Sequence, residues 1–494
     1  MFESAELGHR VAKEAYAEEE PKLREALLDA QFDLHESRRF STVILIGGVE
    51  GAGKGETVNT LNAWMDPRQI ETTGFVAQTD EERQRPPMWR FWRALPPKGR
   101  IAIFFGSWYT DPIVARVLGG AKEAQLDRAI AEIRRFERML ADEGVLLLKF
   151  WFHLSKEAQR QRLKELAKDP RTAWRVTKDD RARLKDYDTW REVSERVLRR
   201  TSEGHAPWIV VEGADERYRN LTVGRTVLTA LRRRLDAPPD DTPPVAPPAS
   251  PPGVDARNVL TELDLTKAVP KAKYEKELEE WQGRLNLLTR HRHFAEHAWV
   301  VVFEGNDAAG KGGAIKRVVG AVDARFLRTV PVAAPTDEEK ARPYLWRFWR
   351  QIPRHGHGVI FDRSWYGRVL VERVEGFCAE YDWQRAYGEI NDFEEELARH
   401  GVIVTKFWLA IGREEQARRF KEREETSFKR FKITAEDWRN REKWDQYVEA
   451  VCDMIERTST TVAPWTVVEA NDKYHARLKV LKTLVRRMER ALEG

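Results

Sequence analysis

Apolar residues in this chain come in short, uninterrupted runs set between long charged stretches, and the same series of runs occurs twice. In the first half the runs cover residues 42–46, 100–105, 145–152 and 208–211, and in the second 299–303, 358–361, 402–409 and 465–468. Runs of four to eight residues, rich in β-branched side chains and lacking polar alternation, predict strands buried on both faces. The first charged stretch of each half, residues 5–36 and 273–288, reads as helix, and helical periodicity separates the later runs. Buried strands alternating with helices predict parallel sheets joined by crossover helices, and so two α/β units in tandem.

The halves are copies of one another. Gly48-Val-Glu-Gly-Ala-Gly-Lys-Gly55 returns as Gly305-Asn-Asp-Ala-Ala-Gly-Lys-Gly312, with 257 residues separating Lys54 from Lys311. The same spacing relates Trp89-Arg-Phe-Trp-Arg93 to Trp346-Arg-Phe-Trp-Arg350, Ser107-Trp-Tyr109 to Ser364-Trp-Tyr366, and Lys149-Phe-Trp151 to Lys406-Phe-Trp408. A chain of 494 residues is too long for one ordinary core. Near its middle lies Ala237-Pro-Pro-Asp-Asp-Thr-Pro-Pro-Val-Ala-Pro-Pro, which can form neither helix nor ladder and reads as a semi-rigid tether rather than a peptide ligand. The expected division is a domain over 1–236, a proline-rich linker over 237–257 and a second domain over 258–494.

Charge narrows the partners only slightly. Lys and Arg total 85 against 80 Asp and Glu, a net +5 that does not by itself indicate nucleic acid. Cys378 and Cys452 are the only cysteines, which excludes a disulfide framework and argues against a thiolate metal site. The opening residues lack the basic and apolar regions of a signal peptide, and no apolar stretch is long enough to span a bilayer. A cytoplasmic enzyme with neither nucleic-acid nor membrane partners is the expectation.

Candidate chemistry concentrates after the run 299–303. There Gly305, Gly310 and Gly312 surround Lys311, and Gly313-Ala-Ile-Lys-Arg317 opens a helix. Strand, glycine-rich turn and helix make a phosphate cradle, because small residues let backbone N–H groups face oxygen atoms at a helix N-terminus. The position after the lysine usually carries a hydroxyl for magnesium, but here it is Gly312. Asp307 inside the loop and Asp362 at the end of the run 358–361 are the candidate metal carboxylates. A helix N-cap is the plainer reading of Asp362. The first copy has Glu50 for Asp307, Phe105 for Asp362, Gly106 for Arg363 and Asp111 for Arg368. A carboxylate and a guanidinium are lost together at Phe105 and Gly106, and Asp111 replaces a second guanidinium, so the second copy is expected to react.

Basic residues extend the site. Arg363 and Arg368 suit a multiply charged phosphate, since guanidinium matches its oxygens bidentately. Lys316, Arg317, Arg325, Arg328, Arg342, Arg347, Arg350 and Arg354 are expected to line a track for a long polyanion. Trp346, Phe348 and Trp349 interleave with this track, and their helical spacing favours core packing over base stacking. The charged stretch 413–445 reads as a lid, with Lys429 and Arg430 as phosphate clamps. A solvated helical hairpin is the alternative.

Taken together these residues closely resemble the polyphosphate kinase 2 family, in its fused two-domain branch that phosphorylates AMP from inorganic polyphosphate. The resemblance is carried by Gly305-Asn-Asp307-Ala-Ala-Gly-Lys311-Gly, Pro335-Thr336, Asp362-Arg363-Ser-Trp-Tyr-Gly-Arg368, Val371-Glu372-Arg373-Val, the lid and Asn471-Asp-Lys473. It implies tandem three-layer P-loop domains like thymidylate kinases, with parallel sheets and helical lids, and magnesium or manganese as cofactor. It further implies polyphosphate as donor, AMP converted to ADP, and a homo-oligomer. Catalytic roles fall on Asp307, Lys311, Asp362, Arg363 and Arg368, with the metal on Asp307 and Asp362. Polyphosphate contacts are expected at Gly305, Gly310, Gly312, Lys316, Arg317, Arg325, Arg342, Arg347, Lys429 and Arg430, and the acceptor near Trp365, Tyr366 and Glu372. Gly367 departs from the asparagine of many relatives. An ATP-dependent nucleoside or nucleotide kinase competes on the same loop, so the choice of donor rests on the resemblance and the arginine track. The first domain, which keeps Lys54, Arg85, Arg90 and Arg93, is expected to support assembly and to hold polyphosphate on its basic residues.

Overall fold

The computed structural model describes residues 1–238, 258–426 and 435–493. Most of the proline-rich linker, and Lys429 and Arg430 of the lid, lie outside the described residues. Two five-stranded parallel sheets organise the described residues. The first contains β1 (Ser41–Gly48), β2 (Ile70–Gly74), β3 (Ile101–Phe105), β4 (Val145–His153) and β5 (Trp208–Glu212), in the order β2-β3-β1-β4-β5. The second contains β6 (Ala298–Gly305), β7 (Leu327–Pro331), β8 (Gly358–Asp362), β9 (Val402–Ala410) and β10 (Trp465–Glu469), in the order β10-β9-β6-β8-β7. All eight apolar runs are strands. The fifth strand of each sheet, β2 or β7, gave no such run, because an edge strand of sequence IETTG or LRTVP stays partly exposed and needs only one ladder.

Alternation along the buried strands explains the layers. Trp299, Val301 and Phe303 of β6 enter a core with Ala314, Ile315 and Val318 of the helix Lys311–Val319 and with Val480, Leu481 and Leu484 of the helix Lys473–Glu493. Val300 and Val302 are equally buried but take no part in that core. Their face of the sheet is covered by the helix Glu380–Arg399, whose Phe393 meets Trp365 edge-on at 5.0 Å. Helix, sheet, helix is the three-layer α/β arrangement the sequence implied. By packing, the first compact unit comprises Met1–Gln78, Arg90–Asp240 and Pro335–Trp346, and the second Thr79–Trp89, Asp241–Ala334 and Arg347–Gly494. No helix among the described residues is long and apolar enough to cross a membrane.

A polar cluster interrupts each apolar interior. Lys406 of β9 and Glu394 of the helix Glu380–Arg399 have no exposed surface and pair at 2.7 Å. The lysine ammonium also donates to Tyr366 Oη at 2.6 Å and to the Thr458 carbonyl at 2.8 Å, so its three protons are all used. Tyr366 Oη and Trp365 Nε1 both donate to Glu394, at 2.7 and 3.0 Å. Burial pushes the Glu394 carboxyl up and the Lys406 ammonium down from their ordinary values, and each draws the other back. Lys149, Glu137, Tyr109 and Trp108 repeat this cluster in the first unit.

Removing one member of such a pair strands the other in a dry interior. Lys406→Met is expected to cost about 3–5 kcal/mol in denaturant unfolding of the second unit, with part of the loss recovered by adding Glu394→Leu. A cost below about 1 kcal/mol for the single variant would show that the pair does not hold the fold.

Candidate active site

Strand β6 lies at the centre of its sheet, with β8 beside it, and both run towards the same edge. Register sets Phe303 beside Asp362 and Gly305 beside Leu409. The carboxyl ends of neighbouring parallel strands are where open α/β sheets place ligand sites. Gly305 has φ of 150°, and a Cβ there would stand 2.5 Å from the Leu409 carbonyl oxygen, so the loop can leave β6 this way only from a glycine. The chain then turns through Asn306, whose side-chain oxygen accepts the Ile411 N–H at 3.1 Å, and enters the helix Lys311–Val319. Lys311 Nζ arches back to the Gly305 carbonyl at 2.8 Å.

Asp307 lies inside this arch. Its carboxylate accepts Asn440 Nδ2 at 2.9 Å and stands 3.5 Å from the Arg363 guanidinium. Two helices bring further groups onto the loop. From Arg413–Glu425, Gln416 donates to the Asp307 carbonyl, and Arg419 donates to the carbonyls of Ala308, Ala470 and Asn471 at 2.7–3.0 Å. From Ala435–Glu442 comes Asn440, while Arg439 of that helix and Lys443 just beyond it ion-pair with Glu375 at 3.2 and 3.1 Å. The lid expected over 413–445 thus meets the phosphate loop at Asp307.

The turn after β8 carries the other charged groups. Arg363 follows Asp362 with φ of 64°, a left-handed conformation that a side chain adopts at a cost of about 1–2 kcal/mol. Its N–H donates to the Phe303 carbonyl at 3.0 Å and its side chain is half-exposed. Ala308 in the loop also has φ of 64°. In the first unit the matched positions are Gly51 and Gly106, with φ of 79° and 83°. The backbone path is the same in both copies, and the second holds side chains where the first has relaxed to glycine. Arg368 and Glu372 pair at 2.8 Å one helical turn apart.

Glu304, just before the loop, was not among the expected site residues. It is buried, and its carboxylate accepts the Ser364 hydroxyl at 2.8 Å. Burial pushes that carboxyl up, opposed by the charge of Lys311, the Ser364 hydrogen bond and the charge of Arg363. The 257-residue spacing could have found it, since Gly47 takes its place in the first copy. The same comparison finds Asn440, matched by Arg183, and Glu375, matched by Leu118.

The structure gathers Gly305, Asp307, Gly310, Lys311, Gly312, Asp362 and Arg363 at one edge. Other expectations need correction. Trp365 and Tyr366 have no exposed surface and give their polar atoms to Glu394, so they brace the turn from behind rather than face an acceptor. Arg325 precedes β7 and is held by Asp323 at 2.7 Å, which puts it at the amino end of a parallel sheet, a strand's length from the loop. Arg342 packs in the first compact unit, where Nε donates to the Leu95 carbonyl at 3.2 Å. Arg317 is bonded to Tyr274 Oη and the Gly313 carbonyl, and Lys316 is exposed on the same helix. Arg347 donates to the Ala333 carbonyl just beyond β7, on the site's edge of the sheet. Trp346, Phe348 and Trp349 are buried, the core packing their spacing suggested.

In the first unit Lys54 arches to the Gly48 carbonyl at 2.8 Å, as Lys311 does to Gly305. Glu50 fills the place of Asp307 and is held between Lys54 at 3.3 Å and Arg183 at 2.7 Å. Phe105 stands in place of Asp362, its ring centre 6.0 Å from the lysine nitrogen.

The left-handed Arg363 separates stability from chemistry. Arg363→Gly is expected to leave thermal stability within about 1 kcal/mol of the parent, because relieved strain offsets the added freedom of the unfolded chain. Phosphate transfer by the same variant is expected to fall at least about tenfold. Unaltered transfer, assayed beside the melting curve, would remove Arg363 from the site.

A family model described as polyphosphate kinase 2 (PPK2) matches residues 10–237 and 268–493. The chain is 59% identical over 490 residues to a polyphosphate:AMP phosphotransferase of Pseudomonas aeruginosa, covering 98% of each chain. To a polyphosphate:AMP phosphotransferase of Pseudomonas syringae pv. tomato it is 55% identical over 491 residues, covering 99% of each. A crystal structure described as polyphosphate kinase 2 from Pseudomonas aeruginosa superposes with a TM-score of 0.90 at 56% identity, over 100% of both chains.

Proposed function

The chain belongs to the polyphosphate kinase 2 family, and we propose that its second unit transfers the terminal phosphoryl group of inorganic polyphosphate to AMP, releasing ADP. The carrying observation is the meeting of Asp307, Lys311, Asp362 and Arg363 at the carboxyl edge of β6 and β8. Likeness to polyphosphate:AMP phosphotransferases along nearly the whole chain supports the choice of donor and acceptor.

Phosphoryl transfer passes through a loose transition state with little covalent work for the protein, so positioning and charge neutralisation dominate. The attacking group is a phosphate oxygen of AMP. With a second pKa of about 6, that phosphate is already mostly deprotonated near neutral pH, and no side chain need act as base. Donor and acceptor are both anions, so their approach needs cations placed in advance. Lys311 supplies one from the loop, and Arg363 another from the turn after β8. Arg368 is oriented by its pair with Glu372.

Asp307 and Asp362 are the residues that would hold magnesium, and manganese takes the same oxygen ligands. Two carboxylates suit an ion that keeps several waters and binds substrate phosphates, and they offset the hydroxyl missing at Gly312. Magnesium held there would supply positive charge against the substrate phosphates. The first unit fits a supporting part, because Phe105 cannot bind a cation through oxygen and Glu50 is engaged by Lys54 and Arg183.

Purified protein given AMP, magnesium and long-chain polyphosphate is expected to form ADP, whereas ATP in place of polyphosphate is expected to support little phosphorylation. ADP formed with ATP alone would move the chain to the ATP-dependent kinases. Asp362→Asn is expected to lower kcat about 100-fold or more while the KM for AMP stays within about threefold. Unchanged turnover would remove Asp362 from the metal site.

A further inference from the structure

Glu304 has no task in the mechanism above, yet its position is costly. It occupies the second-last position of β6, 6% exposed, in an interior where an unmatched carboxyl opposes folding. The first unit does without it. There Gly47 takes the position, and the Trp151 ring stands 3.1 Å from where a Cβ would lie. β1 and β3 still pair in parallel with Ile46 beside Phe105, as Phe303 lies beside Asp362 in the second sheet. The sheet therefore forms without this carboxyl. Glu304 is present only in the copy that also has Asp307, Asp362 and Arg363.

Its partner shows what it does. Ser364 is buried, and its hydroxyl donates to Glu304 while accepting the Tyr366 N–H at 3.3 Å. Ser107, the matched residue, keeps only the backbone half of this arrangement, accepting the Tyr109 N–H at 3.4 Å. Ser364 directly follows Arg363, whose left-handed backbone needs support from its surroundings. The hydrogen bond from Ser364 to Glu304 joins that turn to the strand leading into the phosphate loop.

We propose that Glu304 is a positioning residue for phosphoryl transfer: its carboxylate, acting through the Ser364 hydroxyl, fixes the Asp362–Arg363 turn against the phosphate loop. The inference rests on the reading that Asp362 and Arg363 serve the transfer. Loss of the bond would let the turn drift relative to Asp307 and Lys311, and misplacement of about 1 Å can cost about 100-fold in rate.

The test uses the intact chain, assayed for ADP from polyphosphate and AMP alongside thermal unfolding. Glu304→Ala is expected to lower kcat by about 10- to 100-fold with the KM for AMP within about threefold, and Ser364→Ala to do the same. The double variant is expected to fall no more than about threefold below the worse single variant, because both remove one bond. Glu304→Gln, which still accepts the serine hydroxyl, is expected to recover most of the loss. A parent chain that makes no ADP from polyphosphate contradicts the proposed function itself. With an active parent, the role of Glu304 is overturned if Glu304→Ala stays within about twofold of parent kcat, if the single losses multiply, or if Gln is as poor as Ala. Should Glu304→Ala fail to fold, Ser364→Ala decides: a selective kcat loss supports the role and parent-like kcat overturns it.

Discussion

A lysine and a glutamate with no exposed surface set the geometry on which the second unit's site depends. Lys406 sits on β9, beside the strand that leads into the phosphate loop, and Glu394 sits on the helix covering that face of the sheet. Between them they take the polar atoms of Trp365 and Tyr366, two and three residues beyond Arg363. Desolvating two charges is expensive, and the arrangement holds because every lysine proton and both carboxylate oxygens find partners. The turn that presents Asp362 and Arg363 is thus clamped from behind by groups that touch no solvent. In front it is open to the phosphate loop.

The first unit keeps this clamp almost atom for atom, through Lys149, Glu137, Tyr109 and Trp108. What it has given up lies on the open side. Phe105 replaces a carboxylate, glycine replaces both left-handed side chains, and Gly47 replaces the buried glutamate. Glu50 remains, but with Lys54 on one side and Arg183 on the other it acts as a built-in counter-ion for the loop. The two units therefore share the buried clamp, the path of the loop and its lysine, while Asp307, Asp362, Arg363 and Glu304 occur only in the second.

Much of this was legible in the sequence. The unbroken apolar runs marked eight strands, because a strand buried on both faces has no polar positions to interrupt it. Edge strands β2 and β7 were silent for the converse reason. Motif spacing located Asp307, Lys311, Asp362 and Arg363, since a loop between a strand and a helix leaves little freedom in where its residues lie. The family resemblance set Trp365 and Tyr366 near the acceptor, but their side chains turn inward to Glu394. Arg325 and Arg342 failed differently. Both look like members of a basic track along the chain, but strand direction puts one at the far end of the sheet and packing puts the other in the first unit. Glu304 carries no motif of its own; comparison with Gly47 at the 257-residue spacing singles it out, and its burial beside Ser364 gives it meaning.

With Glu50 paired to Lys54 and Arg183, we propose that only the second phosphate loop engages a phosphate chain, which narrows the part expected of the first domain to assembly. Calorimetric titration of the intact protein with tripolyphosphate in the presence of magnesium tests this most directly. One site per chain, abolished by Lys311→Ala and unaffected by Lys54→Ala, is the predicted result. Two sites per chain, or binding that depends on Lys54, would contradict it.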